Sequence, residues 1–117
     1  MMIASHNGIG KNSTINVPMS AGSGDTEYLQ AFEQKLRPAA MAFSPDFVFI
    51  SAGFDAQAGD TLGSMKVTTE GFAGLTRIVK DIAQRCCQGR LVSVLEGGYG
   101  PNLLAASVEA HIRALME

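Results

Sequence analysis

The fold is decided by an apolar segment, FVFISAG at residues 47–53, which leads into a predicted loop of about fifteen residues at 54–68. An unbroken apolar run predicts a strand that is buried on both faces, as in a parallel sheet. A second segment, LVSVL at residues 91–95, is also apolar and leads into a tight loop, EGGYG at residues 96–100. Both segments are predicted to be short strands of a parallel sheet.

Apolar residues recur at helical spacing before, between and after these strands. The first helix begins near Asp25, a suitable N-cap, and Pro38 is expected to end or kink it. The second begins at residues 68–69 and ends before Gly89. The third begins at Pro101, a residue suited to the first helical position.

A strand-like segment at residues 15–18 precedes these elements, so the predicted order is β-α-β-α-β-α. This alternation predicts an α/β fold with a parallel sheet. The length of 117 residues suits a single domain over 1–117. Hydrophobic residues make up 46% of the chain, a proportion that predicts a globular core and excludes a disordered chain.

Charge and cysteine content exclude several classes of function. Nine basic and eleven acidic side chains give a net charge of -2, so the basic surface of a nucleic-acid binder is not expected. No apolar run approaches the roughly 20 residues of a membrane span, so no membrane partner is expected. The two adjacent cysteines, Cys86 and Cys87, form neither a disulfide framework nor a CxxC site, and they predict a reduced, cytoplasmic setting.

Polar residues with catalytic chemistry follow the two strands, where sites form in open α/β sheets. Asp55 and Asp60 follow the first strand, and Glu96 and Tyr99 follow the second. Asp60 is either a solvated turn residue or a metal ligand, because a hard carboxylate oxygen suits zinc or magnesium. Tyr99 is either a packed loop aromatic or a hydroxyl that donates to a developing oxyanion.

Two other features of the sequence suggest weaker hypotheses. The glycines within residues 97–100 precede a helix and could cradle a phosphate, but the segment lacks a Walker lysine and the GxGxxG spacing. His6 and His111 do not have metal-ligand spacing to each other, and His111 is expected to be structural.

Three stretches together resemble the C-terminal part of the zinc-dependent histone deacetylase family, a group that includes acetylpolyamine amidohydrolases. They are NVPM at 16–19 with Gly22 and Asp25, SAGFD at 51–55 followed by GDTLG at 59–63, and LEGGY at 95–99. The SAGFD and LEGGY forms are similar to those of the class II branch. The resemblance implies a partial arginase/deacetylase-like parallel sheet flanked by helices, and acetylated lysine or polyamine as the substrate of the complete enzyme.

The resemblance also implies roles in catalysis. Asp60 matches an aspartate ligand of the catalytic Zn2+, and Tyr99 matches the tyrosine that hydrogen-bonds the substrate carbonyl and stabilises the tetrahedral intermediate. A zinc ion that polarises the amide carbonyl is consistent with these residue types.

Four further positions correspond to family positions outside the catalytic pair. Gly97 and Gly98 match glycines that flank the acetyl-lysine channel, and Val67 falls where the family usually has a leucine or methionine on the channel wall. Tyr28 resembles an aromatic residue near a structural K+ site.

The family's Asp-x-His zinc ligands and its His-His general base do not occur among these 117 residues. The chain therefore resembles about the last third of a deacetylase domain and is expected to be inactive alone. The alternative is a non-catalytic α/β module that self-associates.

The resemblance has a consequence for residues 1–24. In the family sheet, two strands absent from this chain separate the strand matching 15–18 from the one matching 47–50, so residues 1–24 are expected to be irregular or rearranged. The remaining two strands are expected to pair with each other between helices. Their bare edges predict a homo-oligomer.

Overall fold

The computed structural model describes residues 14–54, 65–97 and 101–117, and its elements confirm the α/β class. The described part contains a parallel sheet of two strands flanked by helices. In chain order the elements are α1 (Asp25–Ala31), a π-helical turn (Phe32–Leu36), α2 (Arg37–Phe43), β1 (Val48–Gly53), α3 (Thr69–Cys87), β2 (Leu91–Gly97) and α4 (Pro101–Met116).

The N-terminal helical segment passes through Pro38. Pro38 lies in the first turn of α2, and the helix continues to Phe43. Proline cannot donate a backbone hydrogen bond, and its ring crowds the carbonyl four residues earlier. The π-helical turn before it changes the local bonding, since the Arg37 N–H donates to the Phe32 carbonyl five residues back. Pro38 therefore does not end the helix.

The predicted strand at residues 15–18 is absent, because described residues 14–20 have no regular secondary structure. A strand requires a neighbour for its backbone hydrogen bonds. The nearest described pairing is an isolated parallel bridge between Gly24 and Lys66. The strands of the described chain are thus β1 and β2.

The sheet differs from the sequence expectation in its burial. Successive side chains of a strand point to opposite faces, and in β1 Val48 and Ala52 are buried against the helices. Phe49 points to the other face and is 51% exposed, and its neighbours Val92 and Val94 in β2 are exposed as well. The prediction that β1 is buried on both faces is wrong for the described residues, because their helices form a layer on one face.

α3 is the centre of the core, as its apolar stripe predicts. Val79 and Ala83 pack on Val48 of β1, and Ile82 packs beside Ala40 of α2. The helix ends at Cys87, where Gln88 and the predicted Gly89 take left-handed backbone conformations with φ of 58° and 79°. In the described ranges, no helix is both long enough and apolar enough to cross a bilayer.

Candidate functional site

The carboxyl ends of β1 and β2 lie side by side. Because the strands are parallel, Gly53 pairs with Gly97, after an irregularity in the register that follows Ala52. The Phe54 N–H donates to the Gly97 carbonyl at 2.8 Å. The two segments that follow these strands therefore start at the same edge of the sheet.

The predicted site residues divide into two groups. Asp60, Gly98 and Tyr99 lie outside the described residues, as does Asp55. Gly97, Val67 and Tyr28 are described, and Glu96 is an exposed residue of β2.

Val67 and Tyr28 both belong to the core beneath the sheet edge. The Val67 side chain is fully buried in a cluster with Ala52, Phe54 and Phe72, and the partly buried Tyr28 packs against the same cluster. Val67 thus supports the first residue after β1. Its role on a channel wall, and the role of Tyr28 beside a cation, stay predictions.

Gly97 closes β2 without steric crowding. A Cβ built at this position meets no described atom within 4 Å. Neighbouring described atoms therefore do not require glycine here. Its predicted roles, in an acetyl-lysine channel or in a phosphate cradle with residues 98–100, stay predictions.

A carboxylate fixes the point where the chain re-enters the core after residues 55–64. Asp25 was predicted to cap its own helix, but Gly24 is the N-cap and its N–H donates to Glu27 Oε2 at 2.8 Å. Asp25 instead accepts hydrogen bonds from the backbone N–H of Thr68, at 2.7 Å, and from its hydroxyl. The Thr68 hydroxyl in turn accepts from the Gly71 N–H at 3.0 Å and caps α3.

The Glu27 carboxylate carries a shifted pKa for a local reason. The hydrogen bond from the Gly24 N–H stabilises its charged form and lowers its pKa. Glu27 thus satisfies the backbone N–H of the N-cap residue at the start of α1. Glu27 therefore bonds the N-cap of α1, whereas the Asp25 carboxylate bonds Thr68 at the start of α3.

His111 joins three elements below the same edge of the sheet. The Thr76 hydroxyl donates to the Phe72 carbonyl at 2.8 Å, so it accepts from His111 Nδ1 at 2.7 Å. The other ring nitrogen, Nε2, then accepts from the Ser93 hydroxyl at 2.8 Å. Burial lowers the pKa of the imidazole. His111 is the structural residue that the sequence predicts, and it also lies edge-on to the ring of Phe54.

Sequence reasoning missed both of these cross-links. Thr68 is identifiable as an N-cap from its position before an apolar stripe, but 43 residues separate it from Asp25. Likewise, 35 residues separate His111 from Thr76. No local pattern indicates such partners, because each becomes a neighbour only when helices pack.

Comparison with known proteins agrees with this geometry. Residues 3–115 match the histone deacetylase domain family. The chain belongs to the histone deacetylase family. It is 44% identical over 108 residues to Histone deacetylase 15 of Arabidopsis thaliana, covering 92% of this chain and 19% of that protein. It is 39% identical over 109 residues to the chloroplastic Histone deacetylase 14 of the same plant, covering 93% of this chain and 26% of that protein.

The solved structures show the same relation. The crystal structure of the HDA15 HD domain aligns with a TM-score of 0.84 at 44% identity, over 92% of this chain and 29% of that one. The family resemblance seen in the three motifs is thereby confirmed. This chain spans between about a fifth and a quarter of the length of the two plant relatives.

The described part of this chain does not by itself form a metal site. It contains no group of three or more His, Cys, Asp or Glu side chains that could hold a metal ion. The one described histidine, His111, uses both ring nitrogens in hydrogen bonds to Thr76 and Ser93. A catalytic zinc takes three protein ligands, so these residues do not fit a complete zinc site.

Proposed function

We propose that this chain supplies the C-terminal part of a zinc-dependent amidohydrolase site that removes acetyl groups from acetyl-lysine or acetylpolyamine. The observation that carries the proposal is the pairing of Gly53 with Gly97. It starts the segment with Asp60 and the segment with Tyr99 at one sheet edge, and ligands of open α/β sheets bind at such edges.

Each of the two residues has a distinct role in this proposal. Asp60 contributes one carboxylate to the zinc site. Tyr99 donates a hydrogen bond from its phenol to the substrate carbonyl oxygen, where negative charge develops. The other zinc ligands and the general base come from a further segment that carries Asp-x-His and His-His, so the 117 residues alone are inactive. A structural K+ near Tyr28 belongs to the same proposal.

A chimera tests the catalytic proposal directly. Residues 3–115 replace the matching segment of Arabidopsis Histone deacetylase 15, and hydrolysis of an acetyl-lysine peptide and of an acetylated polyamine is measured. The chimera is expected to be active. Tyr99→Phe is expected to lower kcat by roughly 100-fold or more, the cost of losing one oxyanion donor.

The controls separate catalysis from folding. Asp60→Asn is expected to abolish zinc binding and hydrolysis, whereas Asp46→Asn, the same change in the exposed turn before β1, is expected to leave both intact. A folded chimera with no activity contradicts the proposal. So does a Tyr99→Phe chimera that keeps the full rate.

The second candidate function is a non-catalytic module that self-associates. It is favoured by the exposed apolar residues of the sheet, Phe49, Val92 and Val94, and by the two strand edges that pair with nothing among the described residues. Such edges and faces favour pairing with another chain. A stable oligomer of the 117 residues that binds no zinc would favour this candidate.

A further inference from the structure

The chain that returns from residues 55–64 is bonded to the start of α1, and we call this contact the re-entry junction. The Lys66 N–H donates to the Ser23 carbonyl at 2.7 Å. Two residues further on, the Asp25 carboxylate accepts hydrogen bonds from the Thr68 N–H, at 2.7 Å, and from the Thr68 hydroxyl. Backbone and side-chain bonds therefore hold the returning chain at two successive points.

Two glycines allow the junction to be this close. A Cβ at Gly24 would lie 3.0 Å from the Lys66 carbonyl oxygen, so a larger residue would push the two backbones apart. A Cβ at Gly71, in the first turn of α3, would overlap the Asp25 carboxylate. Glycine weakens a helix relative to alanine, and the close approach of Asp25 accounts for its presence at position 71.

The re-entry junction is connected to the sheet edge through Val67. This residue lies between the two bonded positions of the junction, and its side chain is fully buried in one cluster with Phe54. Phe54 is the first residue after β1, and its N–H donates to the Gly97 carbonyl at 2.8 Å. A displacement of residues 66–68 therefore disturbs the packing around the first residue of the segment that contains Asp60.

Described residues thus hold both ends of the segment that contains Asp60. It starts at Phe54, which is bonded to β2, and it ends at the re-entry junction. Asp60 lies six residues after Phe54 and eight residues before Thr68. Because fixing both ends of a chain segment restricts the conformations available between them, the junction limits where this segment can run.

We propose that Asp25 is a positioning residue for catalysis, which acts through Thr68 and Val67 on the segment that contains Asp60, a role that rests on the amidohydrolase function proposed above. Asp25 itself bonds Thr68 and does not need to touch the substrate. A displacement of about 1 Å caused by a change far from the reacting atoms can lower a rate roughly 100-fold. Loss of the Asp25 carboxylate is therefore expected to lower kcat.

Hydrogen exchange of the 117-residue chain tests the junction without any requirement for activity. Asp25→Ala is expected to raise the exchange rate of the Thr68 amide by roughly 5- to 30-fold, because this amide loses its acceptor. Glu27→Ala is the matched control, since Glu27 bonds the Gly24 N–H at the same end of α1 and not α3. A Thr68 amide that exchanges equally in the native and Asp25→Ala chains overturns the positioning role.

Kinetics of the chimera described above separate positioning from stability. At a temperature at which circular dichroism shows every variant to be folded, Asp25→Ala is expected to lower kcat by roughly tenfold or more and to change KM by less than about threefold. Asp25→Asn keeps an oxygen that accepts from the Thr68 N–H, so it is expected to restore most of the lost rate. Glu27→Ala is expected to keep the native kcat. Equal kcat values for Asp25→Ala and Glu27→Ala overturn the positioning role.

Gly71→Ala perturbs the same contact from the side of α3. Its Cβ displaces the Asp25 carboxylate, so kcat is expected to fall as in Asp25→Ala, whereas Gly74→Ala, three residues further along the helix, is expected to keep the native kcat. An active chimera whose kcat is unchanged by Asp25→Ala and Gly71→Ala overturns the positioning role and leaves the catalytic function supported. A folded chimera that is inactive with Asp25 intact overturns the catalytic function, and the positioning role with it.

Discussion

Replacing His111 by alanine is expected to remove the cross-link between α3, β2 and α4. The imidazole is buried, with Thr76 and Ser93 bonded to its two nitrogens. Each hydrogen bond contributes about 1 kcal/mol net, and deleting a buried ring adds roughly 1–2 kcal/mol for the cavity. The free energy of unfolding at neutral pH is therefore expected to fall by about 3–4 kcal/mol.

The same replacement is expected to change the pH dependence of stability. Burial lowers the pKa of His111 in the folded chain, whereas an unfolded histidine titrates near about 6.5. Between these two pKa values the unfolded chain binds more protons, so the native protein loses stability as the pH falls, by up to about 1.4 kcal/mol per pH unit. The loss stops below the folded pKa, and above the unfolded pKa the contribution is complete.

Urea unfolding followed by circular dichroism measures both effects, at several pH values between about 5 and 8. The difference between the native and His111→Ala proteins is expected to shrink toward acid pH. The ion pair between Arg77 and Glu117 does not add to the pH dependence over this range. It lowers the pKa of Glu117 and raises that of Arg77, so both groups keep their charge.

Two serine variants show whether the hydrogen bond itself matters. Ser93→Ala is expected to cost about 1 kcal/mol, whereas Ser51→Ala, at an exposed position of β1, is expected to stay within about 0.5 kcal/mol of the native protein. A difference between native and His111→Ala that is constant with pH would refute the neutral, buried imidazole. Equal stability at neutral pH would refute the cross-link.

Three other replacements test the packing around the site by thermal or urea unfolding. Gly71→Ala is expected to destabilise the protein by about 1–3 kcal/mol, because a Cβ there overlaps the Asp25 carboxylate. Gly74→Ala is the matched control. It is expected to be near neutral, since its Cβ meets only the flexible end of a leucine. Thr68→Ala is expected to cost about 1 kcal/mol or more through loss of the N-cap, and an unchanged midpoint would contradict the capping role. Ile82→Ala is expected to cost about 2–5 kcal/mol, because its side chain is 1% exposed, and a loss under 1 kcal/mol would show that the site is not close-packed.

Much of the fold could be predicted from local patterns. The apolar segments at 47–53 and 91–95 identify β1 and β2, and the stripe before Gly89 identifies α3. These predictions succeeded because periodicity and helix ends depend on residues close together in the chain. The order and spacing of the three motifs also identified the family, since both can be read directly from the sequence without knowledge of the tertiary structure.

Local patterns did not predict every feature of the described chain. Pro38 does not end the first helical segment, because the chain continues as a helix to Phe43 behind a π-helical turn. The run at 47–50 looked buried on both faces, but only one face of β1 meets described helices. The hydrophobicity of a side chain indicates that it favours burial, but it does not indicate which part of the protein buries it.

By itself the sequence determined the α/β class, the positions of β1, β2, α3 and α4, the family, and Asp60 and Tyr99 as candidate site residues. The tertiary structure alone decided that Asp25 serves α3 instead of its own helix, that His111 links α4 to Thr76 and Ser93, and that β1 and β2 end together at Gly53 and Gly97. The physical reason is the separation along the chain of the residues that interact. Caps and periodic stripes depend on a few neighbouring residues, whereas these cross-links join residues that are far apart in the chain and meet only when the helices pack against the sheet.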